Sequence, residues 1–306
     1  MLFNKNNKGS EELQQITGIF HAESAYSVIS PEIDDAARMV AQSVGEAVVT
    51  EAEEAYESWD ESKQALVRAV QLPVAILAIL RLSKTNLVTH DDRGAKLKLD
   101  VDEKIPFEWM IDRDERAMTE KYYRAMDALY GYLVSSENES FANFIYNHSL
   151  LSSIVKTLPD FERVYPIEGS YYVFYMLQNL VVECQGRARK LVGEEKWKGL
   201  FDAENAELMR VCQRHAILAA IVTAVERWSL EVFPLSIARR FAPSYQGNRS
   251  SNSAAESEML SYVKKLNTQI TAAENEIAEL LSGGENPWAG MNPVPDGDPG
   301  KKYFTV

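Results

Sequence analysis

Several groups of side chains carry enough chemistry to ask what they could do. His90, Asp91 and Asp92 form a local cluster with the imidazole and carboxylate donors of a metal site. They fall in an expected tight turn, where Asp is common because its side chain hydrogen-bonds its own backbone, so no metal is expected there. Glu46, Glu51, Glu53, Glu54 and Glu57 could pair as general acid and base or as metal carboxylates. No histidine follows at the helical spacing that completes such a set, and they read as a solvated helix face. The tyrosines at 122, 123, 130 and 132, and at 165, 171, 172 and 175, could stack on nucleobases. Without a basic groove beside them they read as core and interface residues. Arg187, Arg189 and Lys190, and Arg239 with Arg240, read as ion-pair partners. Cys184 and Cys212 sit in apolar helical contexts, where free thiols are expected rather than a disulfide. His21, His148 and His215 are scattered, and no glycine-rich phosphate loop, nucleophile elbow or Cys-x-x-Cys pair occurs. The expectation is a protein that is not an enzyme, with no catalytic residues, no metal and no cofactor.

The elements that carry these residues centre on the stretch from Glu61 to Val134. Between Leu72 and Leu82 nearly every residue is apolar, which marks a helix buried on all sides. The run is about half of the roughly 20 residues that cross a bilayer, and Arg68 and Arg81 bracket it, so a core helix is expected rather than a membrane span. Pro73, with no backbone N–H, is expected to start or kink that helix. Residues 86–99 read as a hairpin around Asp91-Asp-Arg-Gly94, with alternation through Lys96, Leu97, Lys98 and Leu99. After Phe107-Glu-Trp109 a helix is expected over 112–134, where Met118, Tyr122, Ala125, Leu129 and Tyr132 make one apolar seam. Upstream, a short helix covers Ser10 to Ile16. Ser30-Pro31-Glu32 has the cap, the first-turn proline and the acidic residue of a helix start, for a helix running to about Ser58.

After the polar stretch Ser135 to Ser140 the order starts again. A short helix is expected over Ser149–Leu158, a long one over 170–192 and an apolar one over 203–228. An offset of 142 residues carries Arg68, Gln71, Ala78 and Ile79 onto Arg210, Gln213, Ala220 and Ile221. A strand-like segment, Leu230 to Ala238, and a Ser-, Asn- and Gly-rich loop follow. In the next helix, 253–281, the residues Met259, Val263, Leu266, Ile270, Ala273, Ile277 and Leu280 step by four and three, a seam for a helix of this chain or of another subunit. From Gly283 prolines and glycines exclude regular structure, while Trp288, Met291, Tyr303 and Phe304 are poor residues for a solvating tail. An extended arm docking its aromatics on a partner accounts for both features. The expected fold is therefore mainly α, a helical bundle in two similar halves, 1–138 and 139–282, each with a short hairpin or strand segment, plus an extended C-terminal arm, 283–306.

The net charge of −13 argues against general affinity for nucleic acid or an anionic membrane surface. Nothing at Met1 to Asn7 resembles a secretion signal, so synthesis in a cytoplasm is expected.

The apolar helix, the hairpin with Asp92-Arg-Gly94, Phe107-Glu-Trp109 and the run Tyr122-Tyr-Arg-Ala-Met-Asp-Ala-Leu-Tyr-Gly-Tyr-Leu133 together resemble proteins of tailed-phage and prophage structural modules. More loosely, the chain is similar to the helical head-to-tail connector proteins, the portal adaptors of head completion. The resemblance is best over residues 60–134 and extends to the order of elements. It implies a virion protein of the neck, made in the host cytoplasm. Such a protein forms a ring, twelvefold like the portal, and binds the portal protein, further connector or tail proteins and its own copies. It lies beside DNA in the channel without binding it specifically, takes no membrane and has no catalytic residues to carry over. Adaptors of this kind are often about half this length, so the second half would be an elaboration. Two other classes fit the composition: a cytoplasmic helical scaffold, and an enzyme holding a metal pair on the glutamate-rich helix.

Overall fold

The computed structural model describes residues 1–86, 88–91, 94–97, 107–147, 152–227 and 256–282. Over these the chain is mainly helical, with eleven α-helices and one two-stranded ladder. Contacts divide it into two units, the first of Met1–Ser152 with Pro166–Asn179, the second of Ser153–Tyr165, Leu180–Leu230 and Arg240–Val306, with 231–239 grouped with the first. The strand-like segment 230–238, the loop 242–252 and the arm 283–306 lie outside the described residues.

In the first unit α1 (Gly9–Thr17), α2 (Tyr26–Val44) and α3 (Glu46–Ser58) lead through a 3-10 turn, Glu61–Lys63, into α4 (Gln64–Asn86). Helix α4 is the hub: α1, α2, α3 and the later α5 (Glu108–Ser135) all pack on it. Its Val67, Val70, Val74, Ala75, Ile76 and Ala78 are fully enclosed, as a helix apolar on every face requires. Pro73 neither starts nor ends this helix. It lies nine residues inside, where burial on every side outweighs one missing backbone hydrogen bond. Pro31 likewise does not begin its helix. Helix α2 starts at Tyr26, one turn earlier, which encloses Ile29. Nor does that helix continue to Ser58, because Gly45, at φ 99° and ψ 138°, breaks it into α2 and α3.

Beyond α4, β1 (Val88–Asp91) pairs antiparallel with β2 (Gly94–Leu97), Asp91 opposite Gly94. Helix α5 is followed by α6 (Glu139–Asn147), whose Phe141 packs edge-on against Tyr130 at 5.5 Å. That contact places α6 in the first unit, whose first segment runs to Ser152.

In the second unit a helix begins at Leu158 instead of ending there. Thr157 caps α7 (Leu158–Glu162) by accepting the Asp160 N–H at 3.3 Å, with Pro159 in the first turn. Helix α8 (Tyr171–Val192) contributes its residues from Leu180 onward, then α9 (Glu194–Lys198) and a 3-10 turn, Ala203–Asn205, lead into α10 (Ala206–Arg227). Helix α11 (Glu256–Leu281) packs along α10. Two helices, Glu61–Ser83 and Ala203–Arg227, are long and apolar enough to cross a bilayer, and most of each is buried.

The same order holds in both units: a helix, a glycine with positive φ (Gly45, Gly193), a shorter helix, an aspartate before a 3-10 turn (Asp60, Asp202), an apolar helix, and a long amphipathic helix packed on it. One buried hydrogen bond recurs as well. Gln71 of α4 donates its side-chain N–H to the Leu2 carbonyl at 2.6 Å, and Gln213 of α10 donates to the Ile154 carbonyl at 2.9 Å. Each bond satisfies an enclosed amide on an otherwise apolar helix and ties the preceding extended segment to the hub.

Candidate functional site

The strongest concentration of polar chemistry in the second unit lies where α11 meets α10. Leu266, Ile270, Ala273 and Ile277 are buried there, with Val263 and Leu280 half-buried beside them. The seam is thus a contact between helices of one chain at these positions; the Met259 side chain is outside the described residues. Glu274, next to Ala273, takes two bonds, from Arg187 of α8 at 2.9 Å and from His215 of α10 at 3.1 Å. Arg214 pairs with Glu276.

His215 is 1% exposed, and burial holds its imidazole below the ordinary value of 6.5 against the opposing hydrogen bond to Glu274. The ring is therefore neutral near pH 7. With the proton on Nε2 it donates to Glu274, and Nδ1 has no partner among the described residues. A His–Glu pair is half of a nucleophile relay, but no nucleophile is bonded to His215 among those residues. Cys212 is enclosed, its thiol pushed up to about 12 by burial, and the Cys184 thiol is raised by burial beside Thr223. The His215–Glu274 pair fastens α11 to α10.

A pH dependence follows. The folded imidazole binds its proton more weakly than the unfolded one, so its contribution is complete above about pH 6.5 and is lost as pH falls through and below that value. His215→Gln, which keeps a donor toward Glu274, is expected to flatten the fall in urea midpoint between about pH 7 and pH 5. Equal slopes for the two proteins would refute this.

In the first unit the tyrosines cluster as core. Tyr130 lies 5.5 Å from the Tyr172 and Tyr175 rings, and its hydroxyl donates to the Ser43 carbonyl. Burial pushes the Tyr122 hydroxyl up to about 12 and Tyr130 higher, so both stay protonated. A cavity of about 260 Å³ beside them is lined by neutral side chains, among them Gln42, Phe141 and Asn179, with no base for phosphate. An open groove of about 910 Å³ is edged by Asp34, Arg38, Glu46 and Glu53 over Ala37, Val49 and Phe144.

Glu51, Glu53 and Glu57 of α3 are otherwise engaged. Glu51 binds Lys63 at 2.9 Å, Asn138 and Ser140; burial raises its carboxyl, and these hydrogen bonds outweigh burial and hold it below the ordinary value. Glu57 meets the Met1 amino group at 3.1 Å. Among the described residues no three of His, Cys, Asp and Glu gather as metal ligands. Arg187 and Arg189 are ion-paired, to Glu274 and Glu194. The His90 and Asp91 side chains lie outside the described residues.

The arm residues Trp288, Met291, Tyr303 and Phe304 also lie outside the described residues. Among the described residues several large hydrophobic side chains face outward. Phe107, Trp109 and Met110 are exposed where α5 begins. Trp59, at the end of α3, is 59% exposed and has a left-handed backbone, φ 60° and ψ 43°. That conformation costs a bulky residue about 1 kcal/mol relative to glycine. Lys5 lies over its ring, Nζ 5.2 Å from the centroid, and donates to the Glu57 carbonyl at 2.8 Å. In the second unit Phe201 is 61% exposed, with Lys156 Nζ 5.7 Å from its centroid. Sequence reasoning passed over both aromatics, although each directly precedes an aspartate at the same distance from the recurring glutamine.

No protein-family model, curated protein or solved structure matches the chain.

Proposed function

We propose that the chain is a structural protein of the phage neck, an adaptor that forms a ring between the portal and the tail or further connector proteins around the DNA channel. We further infer that it is built from two copies of one helical motif, each with its own hub helix, α4 or α10. The observation that carries the reading is the use made of polar groups. His215, Glu274, Arg187 and Arg214 fasten helices to one another, Glu51 binds Lys63 and Ser140, and Gln71 and Gln213 tie extended segments to the hubs, while outward-facing aromatics such as Phe107 and Trp109 are left for partners. The motif of residues 60–134 supplies the resemblance to connectors. The charge of −13 suits a channel wall that repels phosphate and lets DNA slide. Identical subunits with complementary side faces close into a ring when the rotation closes. The arm, with Trp288, Met291, Tyr303 and Phe304, would add reach and valency to the contact with a neighbouring ring.

The test is mass photometry of the purified protein, alone and mixed with whatever portal-like protein is encoded nearby. A ring of about twelve copies, free or on the portal, is the expected result. A small oligomer indifferent to the portal would favour the other reading, a cytoplasmic helical scaffold. Removal of 283–306 is expected to leave helical content intact and to abolish portal binding; undiminished binding would remove the arm from the proposal.

A further inference from the structure

We propose that Trp59, with Lys5 across one face of its ring, is a docking site for a proline-containing acidic segment. Residues 292–299 of this chain are its occupant, and Phe201 with Lys156 is a second site of the same kind. The inference goes beyond the neck assignment and does not depend on it.

The first argument is that Trp59 is doubly unfavourable where it stands. The position closing α3 is left-handed, which suits glycine, and the side chain is held in water. Neither the core nor the helix end needs an indole there, since the Trp59 N–H that closes the helix is a backbone group. A residue that strains the backbone and buries little points to a role outside the folded unit.

The second argument is that the arrangement occurs twice on independent scaffolding. In each unit an extended pair of enclosed residues, Leu2-Phe3 or Ile154-Val155, is bound through its first carbonyl by the hub glutamine. A lysine just beyond reaches over the exposed aromatic that precedes the 3-10 turn. The glutamine bond explains the path of the segment. It does not explain why a lysine and an exposed ring are present at the end of both paths.

The third argument concerns the ligand. One Trp59 face is covered by the ammonium and the ring borders an open cavity of about 390 Å³ that also reaches Lys8. The Tyr56 hydroxyl, accepting from the Lys5 N–H at 2.8 Å, fixes the backbone beneath. Glu12 is turned to Tyr56 at 2.7 Å, and Glu11 pairs with Lys8 at 3.2 Å. The Lys5 ammonium is bonded to the Tyr56 and Glu57 carbonyls, so its charge is not cancelled by a carboxylate in those bonds. A flat indole beside a cation fits a proline ring next to an acidic side chain, the preformed extended ligand that exposed aromatic surfaces bind at low entropic cost. The chain contains such a segment in Asn292-Pro-Val-Pro-Asp-Gly-Asp-Pro299, which begins eleven residues past Leu281, the end of α11.

The experiment uses a fluorescein-labelled peptide of residues 290–300, followed by anisotropy. The receptor is the full-length chain carrying Pro293→Ala, Pro295→Ala, Asp296→Asn and Asp298→Asn, so that its own segment does not compete. Saturable binding of two peptides per chain is expected, reduced to one by Trp59→Gly while the melting temperature stays level or rises, because glycine relieves the left-handed strain. Adding Phe201→Ala should abolish the remainder, and Asp-to-Asn peptide should bind more weakly with less salt dependence. Absence of saturable binding, or equal binding by the Trp59→Gly variant, would overturn the proposal. Binding lost entirely with Trp59→Gly alone would overturn the equivalence of the Phe201 site.

Discussion

Replacing Ile277 with aspartate is expected to detach α11 and destabilise the second unit by about 4 kcal/mol, the sum of a lost buried aliphatic side chain and an unpaired carboxylate placed against α10. Ile277 is fully enclosed and lies on the line of Leu266, Ile270 and Ala273. The ion pairs flanking that line, Arg187–Glu274 and Arg214–Glu276, involve arginine side chains that are 70% and 38% exposed and contribute about 1 kcal/mol or less each. They cannot hold the helix without the apolar seam. Amides of α10 and α11 should lose hydrogen-exchange protection together, to the same extent at every protein concentration. Recovery of protection at high concentration would mean that the seam is closed by another subunit instead.

Gly45→Ala is expected to cost about 3 kcal/mol, and Gly193→Ala about 2. Both glycines stand between two helices with φ of 99° and 83°, a backbone that side-chain-bearing residues avoid. The difference lies in what an added methyl meets. At Gly45 it would come 2.9 Å from Phe144 Cβ and Cγ, so α6 must shift, whereas at Gly193 nothing lies within 4 Å. Urea denaturation of the two variants measures the gap directly. Equal losses would show that Phe144 yields freely and that backbone strain alone sets the cost. Because domains are stable by only about 5–15 kcal/mol, either change should also lower the yield of folded protein.

By itself the sequence determined the helices and their buried faces. A run such as Leu72–Leu80, apolar at every position, has no low-energy state other than enclosed, and the four-and-three stepping from Leu266 to Ile277 can present only one stripe. The recurring offset that joins Gln71 to Gln213 was legible for the same reason, because both glutamines must be satisfied inside an apolar helix. Helix boundaries were less so. Pro31 read as a start and Pro73 as a start or a kink, yet both lie inside helices, because neighbouring side chains such as Ile29 and Val74 gain more by burial than one missing hydrogen bond costs. Tertiary structure alone decided which polar groups meet. His215 and Glu274 are far apart in the chain and become a clip when α11 lies along α10, and Glu51, which read as part of a solvated helix face, is engaged by Lys63, Asn138 and Ser140. The same holds for Lys5 and Trp59. Local propensity sees a lysine in one loop and a tryptophan after a helix; the geometry that lays one over the other comes from Tyr56 holding Lys5 in place, a long-range hydrogen bond that no spacing rule encodes.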